Sequence, residues 1–200
     1  VLVEEPVYDR LVSRLVELTN ILTVGDPTKR EVYLGPVINR NSYRDYQTFA
    51  EEISQHGRIL TGGKTLTEGE LAKGYFVAPT LADQLPLDHP LWQTEMFVPI
   101  TTIAKVADLE EAMRIANSVN YGLTAGFYGS PQEVEWFFDK IEAGVTYANR
   151  PQGATTGAWP GFQPFGGWKG SGASGKNAGG LYYLPLYMHE QIRTLVRRSE

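Results

Sequence analysis

An α/β fold built on a parallel sheet is what this sequence predicts, and three observations predict it. The first is a rhythm of strand, helix, strand, helix and strand across residues 100–148. The second is a pair of helix starts inside that rhythm. Asp108 with Glu111 makes a D-x-x-E cap, and Ser130-Pro131 with Glu133 gives an N-cap, a proline at N1 and a capping-box partner. The third is bulk composition: 200 residues, 42% hydrophobic and 20% charged, can bury a real core in one domain or two. Strands that alternate with single helices pair in parallel through right-handed crossovers.

Each element has a local reason. Residues 1–3 read as the end of a strand. Tyr8, Leu11, Val12, Leu15, Leu18 and Leu22 recur at helical spacing, and Val24-Gly-Asp-Pro-Thr stops that helix with turn residues. Asn41 or Ser42 caps a second helix with Tyr46, Phe49, Ala50 and Ile53 on one face and Gly57 as its stop. A short strand over residues 58–60, a turn at Gly62-Gly63 and an extended piece over residues 75–81 follow. Ile100–Val106 is rich in β-formers, and a helix runs on to Val119. Residues 123–128 form the next strand. Val134, Phe137, Phe138 and Ile141 face inward from the helix after Ser130, and Gly144 ends it. Val145–Ala148 is the third strand, and the segment from Tyr187 reads as a last strand leaving the core.

Composition excludes several function classes. A net charge of −5 argues against nucleic acid, which needs a basic face to displace counterions. No run approaches the roughly 18 apolar residues of a membrane span. The first residues carry acids and no basic leader, so they do not read as a signal peptide; the apolar triplet that opens them reads as a chain cut in mid-strand. With no cysteine there is no disulfide, thiolate metal site or thiol catalysis. His56, His89 and His189 sit in no ligand spacing and read as surface or packing residues, so no metal is expected.

Two glycine patterns imitate phosphate loops. Gly170-Ser-Gly172-Ala-Ser-Gly175 matches G-x-G-x-x-G, but a glycine-rich loop precedes it where the fingerprint needs a strand. Thr61-Gly-Gly-Lys-Thr65 resembles the end of a P-loop, but Arg58 stands where its first glycine belongs. Both read as turns. The segment over residues 155–172, TTGAWPGFQPFGGWKGSG, is different. Its density of glycine, proline and large aromatics suits neither helix nor ladder. Backbone amides in such a loop can approach a ligand closely.

Residues 163–172 resemble the QPFGG-x-K-x-SG motif of aldehyde dehydrogenases, and Glu95, Phe97 and Pro99 in TEMFVP resemble that family's E-x-F-x-P motif. VGDP at residues 24–27 and GPVI at residues 35–38 are similar to further family landmarks. The resemblance extends over almost the whole chain. It implies a parallel three-layer catalytic-domain sheet, here incomplete, with residues 1–187 as the partial catalytic domain and residues 188–200 as a terminal strand for oligomerisation.

The family reaction, as the resemblance implies it, is NAD- or NADP-dependent oxidation of a small-molecule aldehyde to an acid through a cysteine nucleophile and a glutamate general base. Both lie upstream of this chain's residues in the family pattern, so no catalytic residue is assigned here and the isolated chain is expected to be inactive. By the same resemblance Glu95 binds the nicotinamide ribose, and Phe97 packs near the nicotinamide. Phe165 lines the aldehyde tunnel. Thr156-Gly157-Ala158, placed upstream of QPFGG, is similar to the triplet with which glutamate-semialdehyde (1-pyrroline-5-carboxylate) dehydrogenases hold the substrate carboxylate, so Gly157 and Ala158 are the expected anchors. Lys169 reads as a solvent-facing cation, and Asn149 as a structural strand end. The resemblance further implies a cytoplasmic homo-oligomer, or a mitochondrial-matrix one in a eukaryote. The competing reading is a non-catalytic assembly module of the same family.

Overall fold

The computed structural model of the protein describes residues 1–151, 161–172 and 177–197. Two compact units divide the chain, Val1–Ala116 and Asn117–Glu200. The first contains β1 (Leu2–Glu4), α1 (Glu5–Asn20), α2 (Arg40–His56), β2 (Arg58–Thr61), β3 (Thr80–Asp83), β4 (Ile100–Val106) and α3 (Leu109–Asn117), whose last residue opens the second. Its strands form one sheet in the order β1-β4-β3-β2. β1 and β3 both run parallel to β4, while β2 lies antiparallel on the edge beside β3.

Side-chain alternation along the strands builds three layers. Ile100 and Ile59 join the cluster formed with Tyr46, Ala50 and Ile53 of α2; Ile103 and Leu60 join the cluster formed with Tyr8 and Val12 of α1. Residues of opposite parity on one strand point to opposite faces. Each face of the sheet is therefore covered by one helix. Tyr46, Ile53 and Ile103 have no exposed surface, and each such burial contributes about 1.5–3 kcal/mol. On α1, Leu11 and Leu18 stay substantially exposed, so the inward stripe is narrower than the apolar spacing predicts. The cap of α2 is Asn39, whose Oδ1 accepts from Ser42 N at 2.9 Å, a few residues earlier than the expected Asn41 or Ser42. Gly57 caps α2 with φ −138°, an extended value open to any residue. Glycine is required there because an added Cβ would lie 2.8 Å from the Asp83 carbonyl.

Asp83 is the charged residue at the centre of this unit. Its carboxylate is fully buried and accepts from Arg58 Nε at 2.9 Å, Arg58 Nη2 at 2.7 Å and Tyr8 Oη at 2.9 Å. A second buried network starts at Tyr46. Its hydroxyl donates to the Ala78 carbonyl at 2.8 Å and lies 2.7 Å from Thr80 Oγ1, which accepts from Gly63 N at 2.9 Å. The Gly62-Gly63 turn, at φ +82° and +71°, is thereby fixed to β3.

The second unit contains β5 (Tyr121–Gly122), β6 (Thr124–Phe127), α4 (Pro131–Lys140), β7 (Val145–Ala148) and β8 (Trp168–Lys169). β6 and β7 pair in parallel across α4, and β5 pairs antiparallel with β8. The Ser130 capping box is complete, and Asp108 Oδ1 accepts from Glu111 N at 2.8 Å at the start of α3. Glu111 returns its carboxylate to Ala107 N, one residue before the expected donor. Phe137 is buried and stacks on Phe127 with centroids 5.0 Å apart, whereas Phe138 is 46% exposed and does not join the inward face.

Three expectations need correction. β4 does not share a ladder with β6, because both its edges are taken, by β1 and by β3. Gly144 does not end the helix, which stops at Lys140 with Ile141 as cap; it admits the Gly166 carbonyl where a Cβ would collide. Residues 188–197 form no helix or strand, and Ile192, Leu195 and Val196 are at least 80% exposed. A strand needs a ladder partner, and no described residue supplies one.

Replacing Tyr8 by Phe removes one of the donors to the Asp83 carboxylate and is expected to lower the unfolding free energy in urea by about 1.5–3 kcal/mol. The Tyr8 hydroxyl is pushed up to about 12, first by burial and then by its hydrogen bond to Asp83. A folded-state value above the unfolded one means that the contribution is whole below pH 10 and is lost as pH rises through 12. Stability of the wild type therefore falls more steeply over that window than stability of Tyr8→Phe. Equal slopes would show that the hydroxyl does not titrate in this network.

Candidate functional site

The loop over residues 94–99 enters β4, and its alternation decides what it presents. Thr94 Oγ1 donates to the Pro90 carbonyl at 3.0 Å, and Ile100 N donates to the Val98 carbonyl at 2.7 Å. Met96 and Val98 pack against the cluster around Tyr46 and Ile53. The residues between and beside them are turned outward. Glu95 is exposed and makes no hydrogen bond or ion pair among the described residues. Phe97 is 84% exposed and sits at φ 55°. A bulky residue in the left-handed region costs on the order of 1–3 kcal/mol and persists where the surroundings over-determine it. Here the inward anchors Met96 and Val98 fix the backbone on both sides. The result is a carboxylate and an aromatic face both turned toward solvent.

In the second unit Phe165 is half-buried, and its N–H donates to the Ala178 carbonyl at 2.6 Å, bridging two stretches of the loop region. Gly157 and Ala158, with Thr156, lie outside the described residues. Lys169 is exposed, as expected, but its ammonium is engaged: Nζ donates to the Asn117 carbonyl at 2.6 Å and pairs with Glu142 Oε2 at 2.6 Å. The last carbonyls of a helix have no intrahelical partner, and Lys169 reaches from its loop to supply a donor at the end of α3. Asn149 is structural, as expected. Its Nδ2 donates to the Gly129 carbonyl at 2.8 Å, and its Oδ1 accepts from Gly129 N at 3.0 Å, which closes the ends of β6 and β7.

Among the described residues, amides of both phosphate-loop imitations are used by the protein itself. The Gly63 amide is spent on Thr80 Oγ1. The amides of Gly170, Ser171 and Gly172 donate to the carbonyls of Asn120, Trp168 and Lys169. One constellation escaped the sequence reading altogether. Glu52 and His56 on α2 meet His89 from the segment before the 3₁₀ turn Pro90–Trp92, with His89 Nε2 3.2 Å from Glu52 Oε1. The E-x-x-x-H spacing, which puts two potential ligands on one helical face, was the available signal.

Comparison with known proteins bears on this geometry. The aldehyde dehydrogenase family model matches residues 1–192. The chain is 40% identical over 188 residues to the 1-pyrroline-5-carboxylate dehydrogenase of Geobacillus kaustophilus, covering 94% of this chain and 35% of that protein. It is 38% identical over 194 residues to 1-pyrroline-5-carboxylate dehydrogenase 2 of Bacillus subtilis, covering 96% and 36%. The solved structure of a 1-pyrroline-5-carboxylate dehydrogenase from Thermus with bound NAD is similar with a TM-score of 0.83 at 36% identity, over 93% of this chain and 34% of that one. A betaine aldehyde dehydrogenase from Staphylococcus aureus, 23% identical with a TM-score of 0.83 over 93% of this chain and 36% of that one, shares the fold. The chain thus spans about a third of the length of the curated relatives it matches.

The Lys169 clasp is testable by itself. Lys169→Met keeps the stem and removes the donor, and is expected to cost about 1–2 kcal/mol of stability in chemical denaturation. Amide exchange at Gly170, whose N–H is held 2.9 Å from the Asn120 carbonyl, is expected to accelerate with it. Unchanged exchange at Gly170 would show that the lysine does not hold this loop.

Proposed function

The chain belongs to the aldehyde dehydrogenase family, and from that premise we infer that it is the carboxyl-terminal part of the catalytic domain of an NAD- or NADP-dependent enzyme that oxidises L-glutamate γ-semialdehyde to glutamate in proline catabolism. The observation that carries the cofactor half of this reading is the 94–99 loop, with Glu95 unpaired among the described residues and Phe97 held outward at a strained φ. The substrate half is supported by likeness to proteins named 1-pyrroline-5-carboxylate dehydrogenase.

The residues present fit a nicotinamide riboside. A free carboxylate accepts from both hydroxyls of a ribose, and two charge-assisted bonds fix the ring's orientation. Phe97 then offers an apolar face two residues further along the same loop. When bound, the cofactor takes a hydride from the substrate carbon. The backbone amides of Gly157 and Ala158 hold the substrate's carboxylate, since small residues let successive N–H groups converge on an anion. Phe165 lies along its methylenes. The thiolate that such covalent catalysis requires is not supplied by this cysteine-free chain. Residues 1–187 read as the catalytic part and residues 188–200 as a segment that becomes a strand on pairing with another subunit. That reading is supported by the apolar side chains this segment leaves exposed. A homo-oligomer in the cytoplasm, or in the mitochondrial matrix of a eukaryote, completes the proposal.

In the intact enzyme, Glu95→Gln weakens the ribose contact and is expected to lower kcat/KM for the dinucleotide roughly 10- to 100-fold, as loss of a charged hydrogen bond does. An unchanged value would remove Glu95 from the cofactor site. Gly157→Val adds a β-branched side chain to the carboxylate loop. Its expected effect is a loss of about one to two decades in kcat/KM for glutamate semialdehyde and a much smaller loss for an uncharged aldehyde of similar length. Equal losses for both substrates would make the loop a scaffold for Phe165 only.

A further inference from the structure

We propose that Glu52, His56 and His89 form a binding site for a borderline divalent transition-metal ion, of which zinc is the type, clasping the end of α2 to the segment before Pro90. The proposal is independent of the reading of Glu95. Glu52 and His56 stand one helical turn apart on α2, so both side chains leave the same face. His89 is brought to them by the 3₁₀ turn Pro90–Trp92, its ring 10% exposed. Glu52 Oε1 lies 3.2 Å from His89 Nε2 and 3.5 Å from His56 Nδ1. One candidate ligand atom from each of the three residues lies within 4.8 Å of the others. Four-coordinate zinc with bonds of about 2.0–2.2 Å sets its ligand atoms roughly 3.3–3.5 Å apart. Two edges of the triangle already have that length. The third closes by rotation of Glu52 and His56, which are 43% and 47% exposed and free to adjust.

The donor set selects the ion. Two imidazoles and one carboxylate favour zinc, nickel or copper(II) over magnesium or calcium, which prefer all-oxygen shells. Metal binding asks for a modest rearrangement of protons. His56 Nδ1 lies 3.0 Å from the Glu52 carbonyl and His89 Nδ1 accepts from Leu91 N at 3.3 Å. A neutral His56 that ligates through Nδ1 moves its proton to Nε2. A neutral His89 that ligates through Nε2 moves its proton to Nδ1 and gives up the long contact with Leu91 N. Three protein ligands leave one position for water. In exchange the ion adds coordinate bonds between α2 and the 89–92 segment to the imidazole–carboxylate contact, the His56–His89 ring contact and the packing of Leu91 against Tyr46 and Ile53.

The test uses the untagged chain, freed of metal with a chelator and then dialysed against zinc. The expected result is one zinc per chain, no uptake of magnesium, and a rise in Tm on adding zinc. His56→Gln and His89→Gln each weaken zinc at least about tenfold, the lower end of what disturbing a metal's surroundings costs, and abolish the Tm shift. His189→Gln leaves both unchanged. His56 is half-exposed on a helix surface, so its variant folds even if the His89 variant does not, and circular dichroism checks both. Cobalt(II) in place of zinc gives visible absorption that disappears in His56→Gln. Failure of the wild type to bind zinc, binding that survives both substitutions, or binding lost only in His189→Gln overturns the proposal.

Discussion

The carboxylate of Asp83 has no exposed surface, and much of the first unit is arranged so that this charge is never without donors. An isolated ionised carboxylate in an apolar interior costs several kcal/mol or more. Arg58 meets it with a two-pronged guanidinium and Tyr8 with a hydroxyl. The three residues come from β2, β3 and α1, so satisfying one charge ties a helix to two strands. It also fits the direction of β2. The antiparallel pairing places Arg58 opposite Asp83, and the connection from α2 passes so close to the Asp83 carbonyl that only glycine fits at position 57.

The candidate cofactor loop inherits its position from this frame. β3 runs parallel to β4 with Thr80 opposite Ile100, and Thr80 N donates to the Pro99 carbonyl at 2.9 Å. Thr80 is also the residue that Tyr46 and Gly63 engage. The end of the 94–99 loop is thus fixed to β3, and its two inward side chains are fixed to the core around α2. What remains free on that loop is the chemistry of Glu95 and Phe97.

The second unit is held differently. Its tight spots are backbone against backbone, as where Gly144 meets the Gly166 carbonyl. Side chains that mimic or satisfy backbone do the rest: Asn149 on Gly129, Asn117 between the Lys140 carbonyl and Glu142 N, and Lys169 on Asn117. Glycine density in this stretch is therefore a packing requirement.

The sequence by itself determined the elements whose causes are local. The Ser130 box, the Asp108–Glu111 start, the stripe of Tyr46, Ala50 and Ile53, and the β-rich run of β4 are each encoded within a few residues, because caps and side-chain periodicity are short-range. The motifs around Glu95 and Phe165 were legible only through their resemblance to the aldehyde dehydrogenase family. Tertiary structure alone decided which edges β4 offers, since β1 and β3 occupy both. It brought the Lys169 ammonium to a carbonyl 52 residues away, set Tyr8 on a carboxylate 75 residues away, and brought His89 to Glu52 across 37 residues. Those contacts depend on where whole strands and helices come to rest against one another, and no local pattern carries that information.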